Sequence, residues 1–184
     1  LEVPHSPALN PPAAITLEAW VYLRRESVHG ISGCCGGIVC KGFVDGYSLT
    51  FASAGGLLRF YARGSASSVL STGSVPVGEW THVAVAYDGV ATRFYVNGAD
   101  AGVSTAMSGP VLASSNPLTI GHDTGFDASP DGLIDEVRLW SVARSRSEIL
   151  ATMSTPLDGP RTGLVGVWHL DGNGIDAVGG RHGV

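Results

Sequence analysis

Two adjacent carboxylates, Asp135 and Glu136, lie in the apolar segment DGLIDEVRLW. Such a pair could serve as a general acid and base, could hold a metal ion, or could belong to a strand in which one acid is bound and the other is solvated. The alternation in LIDEVRLW predicts a strand, and neighbouring side chains of a strand point to opposite faces. We therefore expect that the two carboxylates cannot reach one bond and that Asp135 shares a face with Val137 and Leu139. Glu136 and Arg138 should share the other face with Trp140, with a cross-strand ion pair on a solvated surface.

Other arrangements for hydrolysis are also missing from the sequence. Glycoside hydrolysis usually requires two carboxylates that face one groove, about 5–10 Å apart. On a strand this requires acids spaced by two or four residues, and the sequence contains no run such as E-x-D-x-E. A nucleophile elbow of the G-x-S-x-G type is absent as well. The sequence therefore predicts a protein that is not an enzyme.

A binding surface is the better-supported alternative. A sugar site needs flat aromatic faces and a few polar groups that fix the hydroxyls. The best candidate surface combines alternate residues of LLRFYAR with two residues of RFYVNG: Arg59, Tyr61, Arg63, Tyr95 and Asn97. These tyrosines could instead be half-buried sheet residues beside solvated arginines. The four tryptophans are interpreted as packing residues: Trp20, Trp80, Trp140 and Trp168.

Composition limits the classes of protein to which the chain can belong. Glycine contributes 26 of the 184 residues and proline 10, while charged residues amount to only 15%, a mixture typical of short strands joined by tight turns. The formal net charge of −5 gives no basic stripe and argues against a nucleic-acid partner. No apolar run approaches the ~20 residues that a membrane-spanning helix requires, and the first residues show no signal-peptide pattern. We therefore expect neither nucleic-acid binding nor membrane insertion.

Alternation with a period of two recurs along the whole chain and predicts eight strands. They cover residues 15–23, 46–53, 57–63, 80–88, 92–98, 117–122, 133–140 and 164–170. Only the segment 145–153 is predicted to be helical, because Ser145 and Glu148 have capping-box spacing. The sequence thus predicts an all-β fold, an antiparallel two-sheet jelly-roll sandwich with one short helix near residues 145–153.

The segment 24–46 is predicted to be a long loop, and it contains all three cysteines. Cys34, Cys35 and Cys40 are an odd number, so at least one thiol has no partner within the chain. Loops carry specificity on sandwich scaffolds.

Five segments resemble those of laminin-G-like jelly-roll domains, which belong to the concanavalin A-like lectin/glucanase superfamily. They are EAWVYL, GEWTHVAVAYDG, RFYVNG, LTIGHD and DGLIDEVRLWSVARSRSEI, in the order and phase of that family. The resemblance covers nearly all of residues 1–184 and implies a single domain. Residues 163–184 resemble the segment that normally opens such a domain. We expect this segment to supply a terminal strand, either by folding back in cis or by donation to a neighbouring copy, which would give homo-oligomers.

The resemblance also implies a metal and a function. Asp135 matches a recurrent Ca²⁺ ligand of the family, whose other oxygens come mainly from backbone carbonyls near the first strand. Asp171 and Asp176 are weaker candidates for the same structural calcium, and all three acids could instead anchor turns through hydrogen bonds. The implied function is that of a non-catalytic recognition module of a secreted or cell-surface protein, with a glycan as its partner. The alternative is a structural or adhesive building block that binds extracellular protein or assembles through its terminal strands.

Overall fold

The computed structural model describes residues 1–25, 34–52, 55–125 and 127–184, and within them the chain forms twelve strands and one α-helix. The strands are β1 (Glu2–Val3), β2 (Ile15–Leu23), β3 (Cys34–Lys41), β4 (Tyr47–Ala52), β5 (Leu57–Tyr61), β6 (Val69–Ser74), β7 (Trp80–Tyr87), β8 (Thr92–Val96), β9 (Ala99–Ser104), β10 (Leu118–Ile120), β11 (Gly132–Trp140) and β12 (Leu164–Trp168). The helix is α1 (Arg146–Leu150). In the part of the chain so described, no helix is both long and apolar enough to cross a membrane.

The strands form two antiparallel sheets of six strands each. The first sheet has the order β1-β10-β3-β4-β5-β6, and the second has the order β12-β11-β2-β7-β8-β9. Alternate residues of both sheets meet in one apolar core, where Leu17 and Val85 of the second sheet and Leu49 and Phe60 of the first are fully buried. The predicted all-β, two-sheet jelly-roll sandwich is therefore confirmed.

Helix α1 lies against the outer face of the second sheet. Ser145 accepts a hydrogen bond from the Glu148 amide, and the Glu148 carboxylate accepts one from the Ser145 amide, so the predicted capping box is present. Ile149 packs on Ala84, Ala86 and Tyr95 in a small buried cluster. The face of the sheet opposite the core is therefore partly covered by the segment that follows β11.

The prediction of a loop over residues 24–46 is wrong for residues 34–41, which form β3, while residues 26–33 lie outside the described part of the chain. The pairing of β3 with β4 shifts register on both sides of Gly37, so a regular alternation is not visible there. At Gly36 the φ angle is 74°, and a Cβ atom would lie 2.6 Å from the backbone nitrogen of Pro130, so glycine is required by both its conformation and its lack of a side chain. At the end of the strand, Cys40 is buried and its thiol is free.

The terminal segment folds back on its own chain in this structure. Strand β12 pairs antiparallel with β11 at the edge of the second sheet. Farther on, Glu2 and Val184 exchange two backbone hydrogen bonds of 2.9 Å. Donation of the 163–184 segment to a neighbouring copy stays a prediction.

Candidate functional site

An open groove lies on the outer face of the second sheet, where its floor is formed by β11, β2 and β7. We call it the outer groove, and its volume is about 510 Å³, within the range of small-molecule sites. Two tryptophans, two acids, an arginine and a short loop line it: Trp20, Trp80, Asp135, Glu136, Arg138 and residues 153–156. Aromatic and ionisable side chains thus share one concave surface.

A β-bulge in β11 brings both acids to the outer groove. Asp135 is opposite Trp20 in the register with β2, but Arg138 is opposite Glu18, so β11 contains one extra residue between the two pairs. Glu136 has a φ angle of 49°, a left-handed conformation that is uncommon for glutamate.

The bulge overturns the sequence interpretation of these two acids. Asp135 was expected on the face of Val137 and Leu139, yet those two residues lie in the core while Asp135 lines the groove. The expectation that Asp135 and Glu136 point to opposite faces is wrong because it assumed an unbroken period of two. The alternation of β11 therefore does not exclude joint action of the two carboxylates.

Glu136 is held by two basic side chains. Its Oε2 atom lies 2.9 Å from Nη2 of Arg138, and its Oε1 atom lies 2.5 Å from Nδ1 of His169. On its other side, Nε2 of His169 lies 3.3 Å from Oδ1 of Asp158. Burial alone would lower the pKa of His169, but the two carboxylates outweigh it and raise that pKa above its ordinary value. Arg138 is only 1% exposed, so the ion pair does not lie on the solvated surface that the sequence predicted.

The loop that walls the outer groove is tied to the sheet by side chains of the floor. Arg138 donates hydrogen bonds to the carbonyl oxygens of Thr152 (2.9 Å) and Thr155 (2.8 Å). The indole Nε1–H of Trp20 donates to the carbonyl oxygen of Met153 at 2.8 Å. These contacts satisfy three backbone carbonyl groups and tie the wall to the sheet.

A buried ion cluster lies next to this arrangement. The side chain of Glu18 is fully buried; its carboxylate lies 2.5 Å from Nη1 of Arg144 and 3.4 Å from Nε2 of His82. Nη1 of Arg138 is 3.9 Å away. Burial favours protonation of Glu18, but the hydrogen bond from His82 and the charge of Arg144 outweigh it, so the pKa of Glu18 is lowered. The cluster joins β2, β7 and β11 to the segment that follows β11.

The aromatic side of the outer groove consists of residues that the sequence interpretation assigned to packing. That interpretation holds for Trp140 and Trp168, which are buried, but Trp80 is 44% exposed. Trp20 is half-buried and makes an edge contact with His82 at 5.5 Å between ring centroids. The sequence does contain one indication of this surface. Trp20 in β2 and Trp80 in β7 both alternate with the apolar core residues of their strands, so both side chains point away from the core.

In the first sheet, the predicted binding residues are held by the protein itself. Tyr61 is 2% exposed, and its hydroxyl donates to the carbonyl oxygen of Gly42 at 2.9 Å. Arg63 donates to the carbonyl oxygen of Pro110 at 2.7 Å, and Arg59 is half-buried. Tyr61 lies outside the apolar core, as the alternation predicted, but it is buried rather than exposed.

The two other predicted residues lie in the second sheet. Tyr95 is 3% exposed and packs against Ile149 of α1, while Asn97 accepts a hydrogen bond from the His82 amide at 2.9 Å. The single surface predicted from LLRFYAR and RFYVNG is therefore not formed, because its parts lie on different sheets. A direct contact of any of the five with a ligand stays a prediction.

Of the three predicted calcium ligands, Asp176 is fully engaged by the C-terminal loop. Its carboxylate accepts hydrogen bonds from four backbone amides, those of Val167, Val178, Gly179 and Arg181. This is the turn-anchoring role that the sequence left open as the alternative. Asp176 does not fit a metal site in this arrangement, since N–H groups occupy both of its oxygens.

Asp135 and Asp171 fit a cation better. Burial raises the pKa of Asp135, and the negative charges of Glu136 and Asp171 raise it further against the hydrogen bond from the Glu136 amide. A cation bound between these carboxylates would stabilise their ionised forms and so remove the repulsion that raises the pKa. Among the residues that the structure describes, no group of three or more His, Cys, Asp or Glu side chains is arranged to hold a metal, so backbone oxygens would have to complete the site.

Comparison with known proteins supports the fold and adds a class of function. A laminin-G-like family model, described as the concanavalin A-like lectin/glucanases superfamily, matches residues 1–150. Human Pappalysin-1 is 34% identical over 82 residues, which cover 42% of this chain and 5% of that protein. The chain thus corresponds to a small part of this relative.

Three solved structures share the fold. A proposed carbohydrate-binding protein from Bacteroides ovatus has a TM-score of 0.68 and 25% identity, over 89% of this chain and 48% of that one. Domain 4 of AbnA, an extracellular arabinanase from Geobacillus stearothermophilus in complex with arabinotriose, has a TM-score of 0.62 and 20% identity, over 82% of this chain and 70% of that one. A SAP-like pentraxin from Limulus polyphemus shares the fold at a TM-score of 0.58 and 16% identity.

Proposed function

The chain belongs to the concanavalin A-like lectin/glucanases superfamily, and from this we propose that it is a non-catalytic module that binds carbohydrate in the outer groove. The observation that carries the proposal is the exposed ring of Trp80 beside the carboxylates of Asp135 and Glu136. The neighbours from Bacteroides ovatus and Geobacillus stearothermophilus support a glycan as the ligand.

Each part of the outer groove has a role in this mechanism. The indole of Trp80 stacks on the apolar C–H face of a sugar ring. Asp135 accepts hydrogen bonds from sugar hydroxyls, and charge-assisted bonds of this kind are stronger than neutral ones. Glu136 is already held by Arg138 and His169, so it presents a fixed carboxylate. Because the wall loop is tied to the floor before a ligand arrives, little ordering entropy opposes binding.

The binding experiment compares matched variants. A glycan array followed by calorimetry should identify a bound sugar, and Trp80→Ala should weaken its affinity at least ten-fold. Leu70→Ala serves as the control because Leu70 is similarly exposed, at 46%, but lies on the first sheet. Loss of binding in both variants, or in neither, would contradict a site at Trp80.

The absence of catalysis needs its own test, because both acids line one groove. The bound glycan is incubated with the protein and the products are separated by chromatography. We expect no new products. Turnover that disappears in Glu136→Gln would show that the module is an enzyme.

We also propose one structural Ca²⁺ held by Asp135, Asp171 and backbone carbonyl oxygens. When bound, the ion would neutralise the repulsion between the two acids and fix the segment that follows β12. CaCl₂ at one hundred times its dissociation constant should stabilise the fold by about 2.7 kcal/mol. Calorimetry and thermal unfolding should show this effect in the wild type and in the exposed control Asp100→Asn, but not in Asp135→Asn. An unchanged melting temperature in the wild type would refute the calcium site.

An extracellular or cell-surface location is part of the same proposal, supported by the extracellular arabinanase that shares the fold. The alternative function, assembly through the terminal strands, has a separate test. Light scattering across a hundred-fold range of concentration should give a constant monomer mass. A mass that rises with concentration, and no longer rises after residues 163–184 are deleted, would favour the adhesive building block.

A further inference from the structure

We infer that the ligand is an uncharged oligosaccharide that extends from the outer groove along a row of apolar side chains crossing three strands. The inference rests on the proposed carbohydrate function and adds the length and charge of the ligand. The row consists of Leu133 on β11, Tyr22 on β2 and Trp80 on β7, and we call it the aromatic row.

The strand register defines the aromatic row. Leu133 is opposite Tyr22 in the pairing of β11 with β2, and Tyr22 is opposite Trp80 in the pairing of β2 with β7. The centroids of the Tyr22 and Trp80 rings lie 5.9 Å apart. Since side chains two residues apart on a strand share a face, Tyr22 lies beside Trp20, and Leu133 lies beside Asp135. The aromatic row therefore continues the floor of the outer groove.

The exposure of the row indicates that the groove alone is not the whole binding surface. Leu133 is 45% exposed and Trp80 is 44% exposed, and Tyr22 between them is half-buried. The distance from the first strand to the third is about 10 Å, given strand spacings near 4.8 Å. One sugar ring stacked on Trp80 would leave Leu133 in water. A chain of two or more further units would cover the row and bury its apolar surface.

The charges favour an uncharged chain. The guanidinium of Arg138 is already paired with Glu136 at 2.9 Å. Beyond the aromatic row, Arg24 and Arg25 share the carboxylate of Asp131, at 3.7 and 2.6 Å. Within the described lining of the outer groove, the charge that has no ionic partner once EDTA has removed calcium is therefore the carboxylate of Asp135. It accepts bonds from hydroxyls but repels the carboxylates of acidic sugars.

The test measures affinity as a function of chain length and charge. Cello-, xylo- and arabino-oligosaccharides of one to five units are titrated by calorimetry in EDTA, with oligogalacturonates of the same lengths as charged counterparts. For the series that binds, we expect at least a ten-fold gain in affinity from one unit to three. We expect no binding of the oligogalacturonates at the same concentrations.

Two variants connect the gain to the aromatic row. Leu133→Ala should reduce the three-unit gain several-fold and leave the affinity for one unit unchanged. Val103→Ala, which alters a 64% exposed residue of β9, should change neither. Affinity that is independent of length, or equal binding of oligogalacturonates, would overturn the inference while the carbohydrate function stands. If no member of the panel and no glycan on the array binds, both proposals are wrong.

Discussion

Replacement of Glu18 by glutamine tests the ion cluster that connects the sheet to the wall of the outer groove. Glutamine has the same size and can still accept a hydrogen bond, so the change removes one charge and little volume. In the wild type, Arg144 lies 2.5 Å from the Glu18 carboxylate and is 6% exposed. The variant therefore leaves a buried guanidinium without its carboxylate.

The expected cost follows from the burial of both partners. Removing one member of a buried ion pair typically costs about 3–5 kcal/mol. We expect the lower end, about 3 kcal/mol, because Arg144 keeps its hydrogen bond to the carbonyl oxygen of Glu148 and its position 4.0 Å above the Trp140 ring. For a domain of this size, about 3 kcal/mol lowers the melting temperature by roughly 6–12 °C.

Urea denaturation at several pH values measures the effect. Because the pKa of Glu18 is lower in the folded state, its contribution to stability is complete above its ordinary value of 4.5 and is lost as the pH falls through the folded pKa. The difference between wild type and Glu18→Gln should be largest at neutral pH and shrink below 4.5. The control Glu79→Gln changes an exposed residue and should stay within about 0.5 kcal/mol of wild type. A loss under 1 kcal/mol, or one that grows in acid, would refute the reasoning.

Three further predictions concern stability. Ser145→Ala removes the capping hydroxyl of α1 and should lower the free energy of unfolding, measured by urea denaturation, by about 1 kcal/mol. The control Ser147→Ala, two residues farther along the chain, should lower it less. Equal losses in the two variants would contradict the role of Ser145 as the N-cap. Tyr47→Phe leaves the Leu9 carbonyl, 2.9 Å from the hydroxyl, without its donor, and should cost about 1–3 kcal/mol in the same assay; a neutral effect would show that water replaces the hydroxyl. Burial lowers the pKa of Lys41 to about 8 from 10.5, so the folded state disfavours the charged amine. The wild type should therefore gain stability relative to Lys41→Met as the pH rises from 8 to 10.5, and a constant difference in urea denaturation would argue against the shifted pKa.

Much of the fold could be predicted from the sequence because apolar residues alternate wherever a strand has a regular register. All eight predicted strands are present within a few residues of their expected ends. The strands that were missed lack that signal. In β3, Gly36 and Gly37 interrupt the alternation, and in β9 the short residues of ADAGVS form an edge with little to bury. Their pairing is set by neighbouring strands, which a local pattern does not reveal.

The candidate site was harder to predict because its residues acquire their roles through tertiary contacts. Tyr61 has the expected phase, but only the folded chain shows that it is buried and that its hydroxyl donates to the carbonyl oxygen of Gly42. Trp80 looks like a packing residue in sequence, yet it is 44% exposed, whereas Leu157, just beyond Pro156, is buried against Trp140 and Val167. The laminin-G-like motifs indicated the family without indicating which face of this chain stays open.

The bulge at Glu136 shows how one inserted residue determines the chemistry of the outer groove. Without the bulge, β11 would alternate regularly, and Asp135 would lie on the same face as Val137 and Leu139. Either Asp135 would then lie in the core, or Val137 and Leu139 would lie on the outer face. The extra residue allows Val137 and Leu139 to lie in the core while both acids remain on the outer face. A glutamate is tolerated at a φ of 49° because Arg138 and His169 fix its carboxylate from two directions. The ion pairs thus stabilise Glu136 in a strained conformation. The bulge that contains it is the reason that both acids line the groove.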